Sequence, residues 1–260
     1  MKVIVNADDF GMSHNKNVAI DFAMRHKLCT QTSVAVNMGF FEEAVEMAQK
    51  GNYMDKVSLH LNLTEGNALS EEIKKIPLYY EDGKFVHRPI IKIIKQIMPL
   101  HIKPIQYEIE AQIEKFVNCG FELRRLDSHN WVHLRIPVWI ALMRVDKKYN
   151  ICSIRPLWKG YFKKEIAGKW HRYFKLFWKY MKRSSKVQNL SYSSNIEQFL
   201  LVQDMLEKEG VEIAEVFVHP DIIEGTMMDI SSSYPKKPYI SLKDNINKIN
   251  KIEKISFKDM

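Results

Sequence analysis

Apolar runs that end in polar clusters recur along this chain and limit what it can fold into. "KVIVNA" runs into Asp8 and Asp9, and "KVSLHLNLT" carries His60 and Asn62. "RRLDSHNWVH" carries Asp127, His129 and His133, "NICSIRP" brings Arg155, and "AEVFVHP" ends at His219. The segments between them are patterned as helices. One follows a capping Ser13 and carries Val18, Ala19, Ile20 and Phe22; others span Phe41 to Gln49, 105–119 and Ile196 to Gly210. Pro77, Pro89, Pro99 and Pro104 punctuate the stretch between the third and fourth strands. Strand-then-helix alternation predicts a parallel sheet. In parallel α/β folds the C-terminal strand ends converge on one face, where catalytic groups collect. Polar residues gathered from five strands predict an α/β chain closed into a distorted (β/α), TIM-barrel-like barrel rather than an open sheet.

A length of 260 residues fits one domain over 1–260 with a large core. At 46% apolar residues, with no apolar run near the roughly 20 residues of a membrane helix, the chain reads as a cytoplasmic globular protein. No export signal follows Lys2. Cys29, Cys119 and Cys152 lie far apart without CxxC spacing, so buried free thiols are expected rather than disulfides or a thiolate zinc site. The net charge of +8 is local: between Leu157 and Lys186 ten Lys/Arg face one acid, Glu165. The rest of the chain is about neutral, so overall basicity gives no argument for nucleic-acid binding. At about 157–190 a basic aromatic insertion is expected. Its Trp170, Tyr173, Phe174, Phe177, Trp178 and Met181 recur at helical spacing, as in an interfacial anchor for an anionic membrane. The same stripe would equally cover a barrel flank or a subunit interface.

Adjacent acids such as Asp8 and Asp9 repel unless a cation lies between them, although they would also suit a helix N-terminus. A lone strand histidine such as His60 is ordinarily a hydrogen-bonded core residue, but Asn62 shares its strand face. His129 and His133 are four apart, a spacing that puts both on one face of a helix, and Asp127 precedes them. One carboxylate with two imidazoles makes an open site for a divalent ion, which lowers the pKa of water and polarises a carbonyl.

"VNADDFG", "LHLNLTEG", "LDSHNWVH" and the late "VHP" resemble, in order, the motifs of the YdjC-like carbohydrate deacetylases, the chitooligosaccharide deacetylase group. The resemblance spans roughly residues 1–220. It implies a distorted (β/α) barrel related to other polysaccharide deacetylases, and removal of the acetyl group from an N-acetylated sugar. It also implies a metal site of Asp9, His60 and His129, Asp8 as general base and His219 as the acid for the leaving amine. Two positions depart from the family pattern: Trp131 stands where a third histidine is usual, and Ser58 where a glycine usually precedes Leu-His. Asn62, Trp131, His133 and Arg155 are the candidate substrate contacts.

The expected activity is therefore metal-dependent hydrolysis, with Mg2+ or Zn2+, of an N-acetylated mono- or oligosaccharide or its lipid- or nucleotide-linked form. Two alternatives stand beside it. A metal-dependent phosphoesterase would need more carboxylates than these motifs supply, and a non-catalytic binder of sugar or polyanion could keep the same barrel. The expected partners are the carbohydrate, an anionic membrane surface met through 157–190 and a second copy of the chain as a homodimer, with no nucleic acid.

Overall fold

The structure, a computed structural model, describes residues 1–88, 99–156, 192–231 and 239–259, together with Arg172, Tyr173, Lys175, Leu176 and Lys179. Its first half alternates β1 (Lys2–Phe10), α1 (His14–Arg25), β2 (Gln31–Val34), α2 (Phe41–Gly51) and β3 (Val57–Leu61). Short α3 (Glu71–Lys74) and the β4 (Tyr80–Glu81) and β5 (Lys84–Phe85) hairpin follow. Then come α4 (Ile102–Asn118), β6 (Arg125–Ser128), α5 (Ile136–Tyr149) and β7 (Ser153–Ile154). The last part holds β8 (Ser193–Asn195), α6 (Ile196–Lys208), β9 (Ile213–Val218), β10 (Pro220–Ile223), β11 (Thr226–Asp229), β12 (Ile240–Ser241) and α7 (Leu242–Asn247).

The main sheet has the order β7-β6-β3-β2-β1-β9-β8, and every pair in it is parallel. Chain order is kept around the sheet, as in a barrel, and the sheet curls into an α/β half-barrel. Among the described residues β7 and β8 are its open edges. β10, β11 and β12 form a separate antiparallel sheet behind His219. The core is continuous, from Val3, Val5 and Ala7 on β1 through Leu59 and Leu61 on β3 to Phe116 on α4 and Trp139 on α5.

Local chemistry explains some element boundaries. The Ser13 side chain accepts from Lys16 N–H (3.2 Å) and caps α1 as expected. Pro104 sits inside the first turn of α4, where its missing N–H has no helical partner to lose. The second strand stops at Val34, short of the "QTSVAVNM" run, because the chain turns before α2. All three cysteines are free, but Cys29 alone is buried; Cys119 is partly covered and Cys152 exposed, so the expectation of three buried thiols is corrected.

Of the aromatic stripe at 157–190, only Tyr173 lies within the described residues; its hydroxyl donates to Leu134 O (3.0 Å). The expected anchor helix otherwise lies outside them. Among the described residues no helix is long and apolar enough to cross a membrane.

The end of β1 is irregular. Ala7 pairs with Thr32 and Phe10 with Val34, so three steps along β1 match two along β2. This is a β-bulge. Gly11 follows at φ +87°, where an added Cβ would lie 3.1 Å from Ala35 O and 3.3 Å from Phe41 Cα. Gly11→Ala is expected to lower unfolding free energy in urea by roughly 1–3 kcal/mol, and an unchanged urea midpoint would contradict this account of the turn.

Candidate active site

In a regular strand, Asp8 and Asp9 would face opposite sides of the sheet. The bulge cancels that alternation. Asp9 adopts φ 75°, a left-handed conformation that costs a non-glycine residue about 1–2 kcal/mol. Both carboxylates are brought, buried, to the same end of the sheet, 2% and 4% exposed.

Asp9 is the hub of one cluster. Its Oδ1 lies 3.0 Å from His129 Nδ1 and 3.3 Å from His60 Nε2, while its Oδ2 accepts from Lys16 Nζ (3.0 Å). Donor atoms of Asp9, His60 and His129 all lie within 4.8 Å of one another, a spacing able to hold a cation. Burial alone would raise the Asp9 carboxyl, but the two imidazoles and Lys16 hold it well below the usual range.

His60 is fully enclosed in the sheet. Its Nδ1 lies 2.7 Å from Asp127 Oδ1 and 3.1 Å from Ser33 Oγ. Its Nε2, aimed at Asp9, has no well-formed hydrogen bond. Burial pushes the ring toward neutrality, yet Asp127 and Asp9 outweigh it and carry its pKa up to about 10. Burial likewise opposes protonation of His129, and Asp9 and Glu65 overcome it, to about 9. Carboxylates beside both rings thus favour added protons. A divalent cation would replace them, and the orphaned His60 Nε2 together with the one-carboxylate, two-imidazole donor set fits one.

Asp8 belongs to a second cluster built on a cation of the chain itself. Arg155 Nη1 and Nη2 donate to Asp8 Oδ2 and Oδ1 at 2.6 and 2.7 Å. Nη2 also reaches Asp127 Oδ2 at 2.7 Å, and Nε donates to Glu215 at 3.2 Å. Burial works against this charge, and the carboxylates of Asp127, Asp8 and Glu215 more than restore it. Asp8, His60 and Asp127 also have metal-like spacing, but the guanidinium already bridges both of those carboxylates.

His219 stands opposite Asp8, with Nε2 3.8 Å from Asp8 Oδ2. Its Nδ1 lies 2.9 Å from Ser231 Oγ, which donates to Asp229 Oδ1, and Asn245 Nδ2 fixes the other Asp229 oxygen at 2.6 Å. The ring is thus aimed from behind by a serine–aspartate relay at the start of the small sheet.

Three expected substrate contacts are engaged internally instead. Arg155 is 2% exposed and saturated by carboxylates. Asn62 is fully buried and accepts from the Thr64 and Glu65 N–H groups at 3.1 and 3.2 Å, shaping its own loop. His133 does not join His129, because Asn130 and Trp131 both take left-handed conformations (φ 51° and 53°) and break the helical repeat between them. It is enclosed beside Ser128, whose Oγ lies 2.5 Å from its Nδ1 and accepts its N–H. Trp131 is half-buried, edge-on to Phe217 at 5.7 Å and near the Arg155 guanidinium.

The sequence motifs did not single out Glu65, Lys16, Ser231 or Asp229 as site residues. Glu65 was within the quoted "LHLNLTEG", but the others carry no local signal. His129 Nε2 lies 3.0 Å from Glu65 Oε1.

Burial, seconded by the nearby Arg155 charge, holds the His133 pKa at about 3 against an ordinary value of 6.5. Between these values the unfolded chain binds the proton and the native chain does not, so stability falls as pH drops through that window. His133→Gln should flatten this part of the pH dependence of the urea midpoint. An unaltered slope would show that His133 titrates alike in both states.

Three comparisons bear on the arrangement. Residues 2–245 match a family described as YdjC-like protein. A protein named carbohydrate deacetylase from Clostridium beijerinckii is 29% identical over 267 residues, with both chains covered in full. Another so named, from Oceanobacillus iheyensis, is 27% identical over 89% of this chain and 90% of its own. A third, from Vibrio vulnificus, is 28% identical over 93% and 86%. A solved structure from Enterococcus faecalis V583, described as a cellobiose-phosphate cleavage protein, superposes with a TM-score of 0.68. It shares 21% identity over 99% of this chain and 98% of that one, which shows the common fold.

Proposed function

The chain belongs to the YdjC-like family, and from that premise we propose that it is a carbohydrate deacetylase, hydrolysing the acetamide of an N-acetylated sugar to the free amine and acetate. The observation that carries the proposal is the pair of adjacent carboxylates turned to one side by the β1 bulge, one beside two imidazoles and the other beside His219. Relatives along the whole chain that bear the name carbohydrate deacetylase support it.

Asp9, His60 and His129 would hold a divalent cation, Mg2+ or Zn2+. Such an ion supplies Lewis acidity, activating water and polarising a carbonyl. The rest is done by side chains. Asp8 is fixed by Arg155 and by Asn6 Nδ2 (2.6 Å), with Oδ2 turned toward His219. It takes a proton from the attacking water at Oδ2. His219, partly exposed and held at Nδ1 by Ser231, delivers a proton from Nε2 to the departing nitrogen. Trp131, at the rim near His219's neighbour Phe217, offers an aromatic face to the sugar. A two-metal phosphoesterase is disfavoured, because Arg155 bridges the carboxylates a second ion would need.

Acetate release from a panel of N-acetylated mono- and oligosaccharides, including lipid- and nucleotide-linked forms, with Mg2+ or Zn2+ added, tests the activity. Turnover of at least one is expected. A chain that binds no metal and releases acetate from none of them would favour a non-catalytic binder on the same barrel. By elemental analysis, His60→Ala and His129→Ala should each lose most bound metal, and full retention in both would remove the proposed ligand set. Asp8→Asn should keep its metal and lose on the order of 10² to 10⁴ in rate. If Asp8→Asn loses metal while Asp9→Asn keeps it, the two roles are reversed.

A further inference from the structure

The two histidines of the proposed metal site are held from behind by different means. His60 is backed by Asp127, which is buried within the sheet and lies 2.7 Å from the ring's Nδ1. His129 lies at the rim, its side chain 12% exposed, and the carboxylate on its far side comes from a loop. Glu65 Oε1 is 3.0 Å from His129 Nε2, while His129 Nδ1 faces Asp9 Oδ1 at 3.0 Å. Each imidazole therefore lies between Asp9 and a second carboxylate, with opposite ring nitrogens turned inward.

Glu65 is nearly half exposed, so no burial requirement fixes a carboxylate there. Its position is instead built by the residues around it. Asn62 Oδ1 accepts from the N–H groups of Thr64 and Glu65, and Asn62 Nδ2 donates to Glu65 O at 3.0 Å. Asn37 Nδ2 donates to the same carbonyl at 3.1 Å and to Asn67 O at 3.0 Å. From α4, Gln112 clamps both backbone groups of Asn62, at 3.1 and 2.7 Å. Gly66 turns at φ +70°, where a Cβ would lie 2.5 Å from Met38 Sδ and 2.9 Å from Asn37 O. Finally, Asn130 Nδ2 donates to Thr64 Oγ1 at 3.1 Å, tying the loop to the turn that carries His129. A loop bound this tightly holds one side chain in one place.

We propose that Glu65 is the positioning residue for His129 in the metal site, accepting the Nε2–H of His129 and so presenting its Nδ1 lone pair to the cation beside Asp9. The assignment rests on the metal site proposed above and deepens it. A neutral imidazole carries a single N–H, and the partner of that N–H decides which nitrogen is free to ligate. Asn62, expected to touch substrate, then acts at one remove, by building the loop that carries Glu65. An exposed ion pair with no further role would predict otherwise: such pairs contribute little, and their loss would leave metal affinity alone.

The test uses the full chain, stripped of metal and titrated with Zn2+ by calorimetry. Glu65→Ala is expected to weaken Zn2+ binding about 10- to 100-fold, as loss of such partners typically does. Glu65→Gln, whose side-chain oxygen accepts the same N–H, should stay close to the unaltered chain. Imidazole ¹⁵N resonances of the Zn2+-loaded chain, where His129 is neutral, supply a second readout: its proton should sit on Nε2 in the unaltered chain and in Glu65→Gln, and lose that preference in Glu65→Ala. If Glu65→Ala fails to fold, Glu65→Asp replaces it under the same criterion, since it keeps the charge but withdraws it from Nε2. Zn2+ affinity of the Ala or Asp variant within about twofold of the unaltered chain overturns the assignment while leaving the metal site standing. An unaltered chain that binds no Zn2+ overturns the metal site and this assignment together.

Discussion

The buried guanidinium of Arg155 is the interaction on which the rest of the site depends. It is almost completely enclosed, and an unpaired charge there would cost several kcal/mol of lost hydration, roughly. Asp8, Asp127 and Glu215 offset that cost with charge-assisted bonds, the Asp8 pair being bidentate. Glu215 also binds Arg125, whose guanidinium stacks on Phe257 at 3.9 Å. Asp127, fixed by Arg155, in turn orients His60, and His60 faces Asp9. One cation thus sets the direction of the base candidate and, through two further residues, of the cluster that would hold a metal.

Strain at the site follows the same logic. Asp9, Asn130 and Trp131 all hold left-handed backbone conformations, which are uncommon outside glycine and unfavourable for a bulky tryptophan. Each one redirects a side chain. The turn at Asp9 puts two neighbouring carboxylates on one side of the sheet, and the turn at Asn130 and Trp131 separates His129 from His133. Such conformations persist where surrounding contacts over-determine them, and here Lys16 and His129 hold Asp9 while Phe217 packs against Trp131.

The result is a rigid floor and a more open rim. Asp8, Asp127, Arg155 and His60 form the floor, backed by the parallel strands. His129 and His219 reach the rim, each oriented from behind by partners from elsewhere in the chain, Glu65 for the one and Ser231 with Asp229 for the other. Charge set in low dielectric and aimed in advance is what a hydrolytic site needs, because little reorganisation remains for the moment of reaction.

The sequence by itself determined the alternation of the larger strands and helices, the parallel sheet and the strand ends at which Asp8, Asp9, His60, His129 and His219 meet, though not the short β8 or the small sheet of β10, β11 and β12. Those features are local: alternating apolar patterns, caps such as Ser13, and polar residues in or just past the C-terminal end of each strand. Tertiary structure alone decided which polar residues face the site and which are spent inside. Arg155, Asn62 and His133 looked like substrate contacts because they share the strand ends, but ion pairing, loop building and a broken helical turn turn them inward. Glu65 and Ser231 gained their places through hydrogen bonds to residues 64 and 12 positions away. The pairing of Arg155 with Asp8 spans 147 positions. No local pattern encodes such partners, because side-chain direction at a bulge or a left-handed turn is fixed only when the packed neighbours around it are in place.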